Sequence, residues 1–496
     1  MAAPAKLRAR GAGALVRMAA PECDELRALV FKRYPAKEWA TFARFGWRET
    51  SGGLVLTLAA VDAPGPGDLD ATVGNVAFQE PYTLRVALNA EHHPLAVAVI
   101  HSHPEDCAPH PSFIDDDMDA YYSRYFGDFA PGRPYASLII AIVRNQLAVS
   151  GRIWWRDEWH VVEHVAIERT SVRTWVAGNR PFDTPPSSPR VARLAGAFGE
   201  EAAARLRRST VVVIGAGGTG SAAIEVLARA GVGHLIVVDP DTLEESNLER
   251  VHGSLPKHSK AHVSKAAVAR EHIHAIDPTI TVEAYRAALP QESILDAAVR
   301  ADVLLGCTDQ QHSRLAISDL ALRYLVPAID CGVVLEGRDG KITGQVMQFV
   351  RFLAADPCAL CRQMVTPAIL AQELMTPNER ARRRAAAKEA SLEGGEAEAY
   401  WHEMPQLNTV GYLTTAAGSL AAGYAIGWLT GRFDPPFSRL QLNMVGKFID
   451  IADDDQLPRP SCTCRRVRGW ADQANADGFI TAPTHWPPAQ LLPTGK

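Results

Sequence analysis

The stretch VAVIHSHPEDCAPHPSFIDDD, residues 97–117, closes an apolar run with two histidines one residue apart, then supplies a serine and three consecutive aspartates. Side chains two residues apart on an extended strand share a face, so His101 and His103 can offer two imidazoles to one ion. Asp115 as a third ligand would leave the fourth position of a tetrahedral zinc to water, the arrangement of a catalytic site. Such a water needs a proton acceptor, and the oxyanion formed by its attack needs a donor. Glu49, in WRETSGG, is the candidate for the first role and Ser112 for the second. Asp116 and Asp117 are alternative ligands if the loop is reshaped.

A second constellation begins at TVVVIGAGGTGSAAIEVLARAG, where Gly215, Gly217 and Gly220 occupy G-x-G-x-x-G positions between a predicted strand and a predicted helix. Glycines there allow a tight turn and bring phosphates close to a helix N-terminus. By itself this pattern fits NAD, with Asp239 on the ribose hydroxyls. DPDTLEESNLER adds Asp241, Asn247 and Arg250; Lys265 follows, and ADVLLGCTDQQHSR places Asp309 after another strand. Hydride transfer has no use for two cations and a further carboxylate, whereas triphosphate chemistry does: the cations neutralise phosphate charge and the carboxylate holds magnesium.

Two family resemblances follow. Glu49 with its glycine pair, HSHP and Ser-x-x-Asp resemble the JAB/JAMM zinc metalloproteases, over roughly residues 15–160. The resemblance implies cleavage of isopeptide or peptide bonds beside ubiquitin-like proteins. One departure is that eight residues separate His103 from Ser112, where the family has seven. The motifs GxGGxGS (which includes Gly218), DxDxxxxSNLxR, the lysine and the strand-end Thr-Asp resemble ubiquitin-activating enzymes and their ThiF/MoeB relatives, which attach AMP to a C-terminal glycine. That resemblance implies ribose binding by Asp239, phosphate binding by Asn247, Arg250 and Lys265, and magnesium binding by Asp309. Lys260 is an alternative to Lys265. RVARLAGAFGEEAAARL resembles the segment preceding the first strand of that family, so Arg193 is expected to reach the ATP of a partner subunit in a homodimer.

Eight cysteines include CALC (Cys358, Cys361) and CTC (Cys462, Cys464). With no secretory signal such pairs read as metal ligands, here a four-thiolate structural zinc with C-x-C in place of the family's second CxxC. WHEMPQLNTVGYLTTAAG, which matches the stretch that carries the thioester cysteine in many activating enzymes, has none. Either the adenylate is handed to a separate conjugating enzyme or the nucleophile lies elsewhere. Cys307 and Cys331 are expected to be core thiols.

The elements that must position these residues follow from periodicity. Residues 13–31 predict a strand and a helix, and SGGLVLTLAAVDA, LAVAVI, SLIIAIV and LAVSGRIWW predict strands. Beyond FDTPPSSPR, apolar strands alternate with helices, the pattern of a doubly wound parallel sheet. The fold class expected is α/β: an N-terminal α+β domain (1–165), a linker (166–190) and a Rossmann-like domain (191–455). A charged insertion is expected near 365–405, and a tail (456–496) carries the second cysteine pair. At 496 residues, 47% hydrophobic and 22% charged, the chain is ordinary globular material with a net charge of -5 and no basic footprint for nucleic acid. The apolar TTAAGSLAAGYAIGWLTG is too short and glycine-rich for a membrane span and is expected to be a buried helix. The chain is therefore expected in the cytoplasm, with catalytic zinc, structural zinc and Mg-ATP as cofactors and a ubiquitin-like protein as partner. The pairing of the two domains resembles fusions in bacterial ubiquitination-like operons, some of which imply antiphage defence. Alternatives are activation of a sulfur carrier for thiamine, molybdopterin or cysteine synthesis, and an N-terminal half that is an inactive binding module.

Overall fold

The protein is described by a computed structural model covering residues 13–32, 37–72, 74–104, 107–143, 146–168, 170–174, 188–392, 401, 409–445, 450–454, 456–477 and 481–493. It divides into two compact units. One comprises residues 1–184, 322–326 and 465–478; the other comprises 185–321, 327–464 and 479–496.

The first unit is a closed barrel with helices. In chain order it holds β1 (Ala14–Met18), α1 (Ala20–Val30), β2 (Ala40–Thr50), β3 (Gly53–Asp62), β4 (Leu69–Ala71), β5 (Val76–Phe78) and α2 (Glu80–Glu91). These are followed by β6 (Ala96–Ser102), α3 (Phe113–Phe129), β7 (Tyr135–Val143), β8 (Gln146–Trp155), β9 (Glu158–Ile167) and β10 (Thr170–Thr174). The barrel runs β1-β3-β2-β6-β7-β8-β10-β9, and β9 returns to β1. Its core is apolar: Val16, Leu26, Phe45, Leu56, Ile100, Leu138 and Val165 are buried together. A second layer, led by Phe42, Tyr82, Tyr122 and Phe126, seats α2 and α3 on the outside.

The barrel extends past the boundary expected from sequence. Residues 170–174, assigned to a linker, form β10, which pairs with both β8 and β9. Residues 175–187, the rest of that linker, lie outside the described residues. Nor is the stretch from 456 one tail. Residues 465–477 belong to the barrel unit and lie as a strap along β2 and β3. Gly469 O accepts from Gly46 N at 3.1 Å and from the Thr57 hydroxyl at 2.7 Å, and Trp47 N donates to Gln473 at 2.7 Å. A Cβ on Gly46 would collide with the backbone of Trp470. Arg48, buried, meets both Asp472 oxygens at 3.0 and 3.2 Å, and the Tyr324 hydroxyl also bonds Asp472.

The second unit holds α4 (Ala192–Phe198), α5 (Glu200–Arg208), β11 (Thr210–Ile214), α6 (Gly218–Ala230), β12 (His234–Val238), α7 (Pro256–Lys260) and α8 (Lys265–Ile276). Next come β13 (Thr281–Arg286), α9 (Glu292–Ala298), β14 (Val303–Gly306), α10 (Gln311–Arg323), β15 (Ala328–Arg338) and β16 (Lys341–Phe352). The last elements are α11 (Pro367–Leu374), α12 (Pro377–Leu392), α13 (Gly411–Thr430), β17 (Arg439–Asn443), β18 (Asp450–Asp454) and β19 (Gln490–Leu491). Its sheet is ordered β18-β17-β16-β15-β14-β11-β12-β13-β19; β13-β12-β11-β14-β15 are parallel and the flanks antiparallel. The inner parallel strands β11, β12 and β14 are apolar on both faces, as a sheet covered by helices requires. The glycine-rich apolar stretch is α13, packed on α6, where Gly418 lets the two backbones approach. Among the described residues no helix is long and apolar enough to cross a membrane.

The strap predicts a stability effect. Asp472→Ala strips the buried Arg48 of its carboxylate, at a cost of about 1–2 kcal/mol for a charged hydrogen bond that is partly exposed on the Asp side. Calorimetry of the full chain should show the barrel's transition moving down while that of the other unit stays; an unmoved barrel transition would rule the strap out as a stabiliser.

Candidate functional site

In the barrel, His101 sits one residue before the end of β6 and His103 just past it. β2 runs antiparallel beside them, with Ala40 opposite His101. Ser102 N donates to Trp39 O at 3.0 Å, carrying the pairing one step further, so Glu38 comes level with His103. Ser112 caps α3, accepting from Asp115 N at 3.3 Å while Asp115 Oδ2 accepts from Ser112 N at 2.6 Å. This reciprocal cap aims the carboxylate at the strand end. His101 Nε2 lies 3.2 Å from Asp115 Oδ1 and His103 Nε2 3.9 Å from Oδ2. Two nitrogen or oxygen ligands of one tetrahedral zinc stand about 3.3 Å apart, so the three donors fit that ion.

Burial works to raise Asp115, but the hydrogen bond from His101 holds its carboxyl well below the usual range. His103 is lowered to about 4, by burial and then by His101, which leaves it the neutral imidazole a metal needs. Glu38 is raised, first by burial, against the pull of His101. The alternatives to Asp115 point elsewhere: Asp116 bonds Arg152 at 2.5 Å, and Asp117 is exposed. The extra residue between His103 and Ser112 therefore leaves the Ser-x-x-Asp cap intact.

Glu49 is not part of this cluster. It lies at the opposite end of β2, nine residues and about 30 Å from Ala40 at strand rise, where it pairs with Arg156 at 2.6 Å. The residue missed was Glu38. Its signal was strand direction: beside an antiparallel β6, the acid at the start of β2, not the one at its end, meets the histidines.

In the second unit the glycines build a turn. Gly215 takes φ +94°, and a Cβ there would stand 2.5 Å from Cys307 O. Gly217 is the N-cap of α6, Gly218 its first residue, and a Cβ on Gly220 would collide with Gly215 O. Asp239, buried at the end of β12, accepts from Ala216 N at 2.7 Å and Asp241 N at 2.8 Å. Burial lifts its carboxyl to about 6 against the attraction of Lys265. The Lys265 ammonium bonds Asp241 at 2.8 Å; burial lowers it, but Asp239 and Asp241 together hold it above its ordinary value.

Arg250 passes beside Gly218 and donates to Ser246 O at 2.9 Å, while the buried Asn247 accepts from Glu244 N at 3.1 Å. Asp309 is exposed in the loop whose neighbours Cys307 and Thr308 abut Gly215. Glycine turn, Asp239, Asp241, Lys265, Arg250 and Asp309 thus gather at the carboxyl ends of β11, β12 and β14, the crevice where open α/β sheets bind ligands. Lys260 is exposed at the end of α7. Arg193 is not gathered with them: it is exposed in α4, close in sequence to Val191, which packs at Gly231, the far end of the 13-residue α6, about 20 Å from the turn.

Cys358, Cys361, Cys462 and Cys464 converge. Cys358 and Cys462 sulfurs lie 3.7 Å apart and those of Cys361 and Cys464 3.8 Å apart. A tetrahedron with Zn–S of about 2.3 Å has edges of about 3.8 Å, so the thiols fit zinc and are too far apart for disulfides. Cys361 N and Arg459 N each donate to a thiol at 3.4 Å. A short 3-10 turn at Thr463–Arg465 brings the C-x-C pair into place. Cys307 and Cys331 are both raised by burial, and Cys331 lies against Ala417 O, as core thiols do. Residues 402–408, which include part of the cysteine-free stretch, lie outside the described residues.

Sheet order, glycine turn and strand-end acids define a doubly wound domain of the nucleotide-binding kind. The chain belongs to the ThiF family, whose model matches residues 191–464. Adenylyltransferase and sulfurtransferase UBA4 of Eremothecium gossypii is 33% identical over 165 residues, and its counterpart in Candida albicans 32% over 163. The match covers 33% and 32% of this chain and 35% of each relative, so the chain spans about a third of the curated relatives' length. Escherichia coli MccB solved with ATP matches at 17% identity and a TM-score of 0.42, over 57% of this chain and 76% of that one.

Metal analysis separates the two clusters. His101→Ala and Cys361→Ser should each remove one zinc, and the double variant both, by elemental analysis of dialysed protein. Full zinc content in His101→Ala would refute the barrel site.

Proposed function

We propose that this protein is bifunctional: its second unit adenylates the C-terminal glycine of a ubiquitin-like protein with ATP, and its barrel trims or deconjugates such proteins by zinc-dependent hydrolysis. The observation that carries the first activity is the gathering of Asp239, Lys265, Arg250 and Asp309 around the glycine turn in a ThiF family chain. The terminal carboxylate attacks the α-phosphorus of ATP, pyrophosphate departs, and an acyl-adenylate remains. Lys265 and Arg250 offset the phosphate charge, Asp309 holds magnesium, and Asp239 accepts the ribose hydroxyls.

In the barrel, His101, His103 and Asp115 would hold a zinc, which supplies Lewis acidity and a water of lowered pKa. Glu38 takes the proton of the attacking water and returns it to the leaving amine. Ser112, at the mouth of the cluster, donates to the developing oxyanion once its hydroxyl turns from the cap.

The pairing has a chemical reason, since a precursor with residues beyond its glycine presents no carboxylate to adenylate. We place the chain in a bacterial cytoplasmic conjugation pathway, as a homodimer in which Arg193 reaches the partner's nucleotide, with a conjugating enzyme as acceptor of the adenylate. The UBA4 relatives bear the name adenylyltransferase and sulfurtransferase, which favours one second reading, activation of a sulfur carrier. Thiocarboxylate on the product would support it.

The test is ATP–pyrophosphate exchange with a neighbouring gene's ubiquitin-like protein, as precursor and trimmed to glycine. Glu38→Gln should lose exchange with the precursor by about 10²–10⁴ and keep it with the trimmed form, whereas Glu49→Gln should keep both. Asp309→Ala should lose both, and no exchange by the wild type with either form would defeat the adenylation reading. ATP affinity should also fall as pH drops through about 6, where Asp239 takes up its proton; a flat profile from pH 5 to 8 would remove Asp239 from the ribose role.

A further inference from the structure

The carboxylate of Glu373 in α11 lies on the N-terminus of α10, although some sixty residues separate them in sequence. It accepts from Gln311 N at 2.9 Å, His312 N at 2.8 Å and His312 Nδ1 at 2.8 Å. The first turn of a helix leaves its N–H groups without intrahelical partners, and a carboxylate is the group that satisfies them best, adding the attraction of the helix dipole. Burial acts to raise Glu373, but the His312 hydrogen bond and the two N–H groups hold it below its ordinary value, so it is ionised where it sits.

The contact is part of a larger latch. Thr366 N donates to the Gln311 side chain at 2.6 Å, and Arg380 donates to the carbonyls of Gln372 and Glu373 at 3.2 and 3.1 Å, fixing α11 from both ends. The Trp486 ring packs edge-on against His312 at 4.9 Å.

What the latch holds is the short loop from β14 to α10. Its first end is pinned where Cys307 O and Thr308 N press on Gly215, and Gln310 N turns back to the Thr308 hydroxyl at 3.2 Å. Its second end is the capped helix. Asp309 lies between them, exposed and without structural duties of its own among the contacts described. A metal-holding carboxylate must be placed to within a fraction of an ångström. The glycine turn anchors one side of Asp309, and only a fixed start of α10 anchors the other.

We propose that Glu373 is a positioning residue for the nucleotide site: by capping α10 it fixes the Asp309 loop and so sets the magnesium requirement of adenylation. The proposal rests on the adenylation reading. It also gives residues 366–380, which open the stretch expected from sequence as a charged insertion, a mechanical role at the site.

The experiment is pyrophosphate exchange on the full chain, titrated with magnesium at saturating trimmed ubiquitin-like protein, for wild type, Glu373→Gln and Glu373→Ala. Glu373→Ala should raise half-saturating magnesium by about three- to tenfold, the scale of a lost charged cap, with the half-saturating concentration of the protein substrate unchanged. Glu373→Gln, which keeps the shape and one acceptor, should fall between. Because Asp309→Ala is silent in exchange, the coupling is read by magnesium-dependent ATP binding, where Glu373→Ala should weaken the wild type but cause no further loss in an Asp309→Ala background, since the residue acts through Asp309. If Glu373→Ala proves unstable, judged by lost thiolate-bound zinc, Glu373→Gln carries the test. A wild-type magnesium curve in folded Glu373→Gln and Glu373→Ala overturns the positioning role, while a wild type silent in exchange overturns the adenylation reading beneath it.

Discussion

The larger unit is organised by a steric constraint at one turn. Between β11 and α6 the backbone doubles back until Gly220 lies against the Gly215 carbonyl, and Gly215, at φ +94°, lies against Cys307 O. No side chain fits at either point. β11 is the middle of the five parallel strands, flanked by β12 and β14, so this turn determines where the free N–H groups of α6 point and which loops stand beside them. Asp239 is bound to the same constraint, since its buried carboxylate holds Ala216 N and closes the turn from the β12 side. Asp309 is bound to it from the β14 side through Cys307 and Thr308. The chemistry proposed for these acids therefore depends on glycines that touch no substrate through side chains.

The barrel depends on a different constraint, the antiparallel pairing of β2 with β6. It makes the start of β2 level with the end of β6 and so decides which acid stands near His101 and His103. The Ser112–Asp115 cap completes the cluster from α3 and uses a motif that stabilises a helix start to orient a ligand. Along β2 and β3 the strap 465–477 fills positions where Gly46 and Gly469 allow backbones to meet.

Much of this was legible as residue types, less of it as directions. The strands around HSHP and the glycine turn follow from periodicity and turn chemistry, and the structure puts Asp115 beside the two histidines and Asp239 and Lys265 at the mouth of the glycine turn. Glu49 failed because a motif with a free-length gap says nothing about strand direction; only the β2–β6 register favours Glu38. β10 was lost in a proline-rich linker because its five residues lack the length that makes alternation visible. The strap was hidden for a related reason: many of its contacts are backbone carbonyls, close-packed glycines, side-chain hydrogen bonds and ion pairs to Arg48 and Glu22, none of which produces a hydrophobic period. Glu373 was invisible because a cap supplied from sixty residues away leaves no local signature.

The thiols bear on how the proposed adenylate would be consumed. Four of the eight cysteines converge on one cluster with the edge length of a zinc–thiolate tetrahedron. Burial lifts Cys307 and Cys331 far from the thiolate form that attacks acyl groups, and Cys331 is sealed beneath α13. Cys23, also raised by burial to about 11, belongs to the barrel core. Cys107 is exposed, but it stands in the loop between the histidines and Ser112, in the barrel unit. Thus no described thiol at the nucleotide crevice has both the access and the acidity of a nucleophile, which favours an acyl-adenylate attacked by a group from another protein.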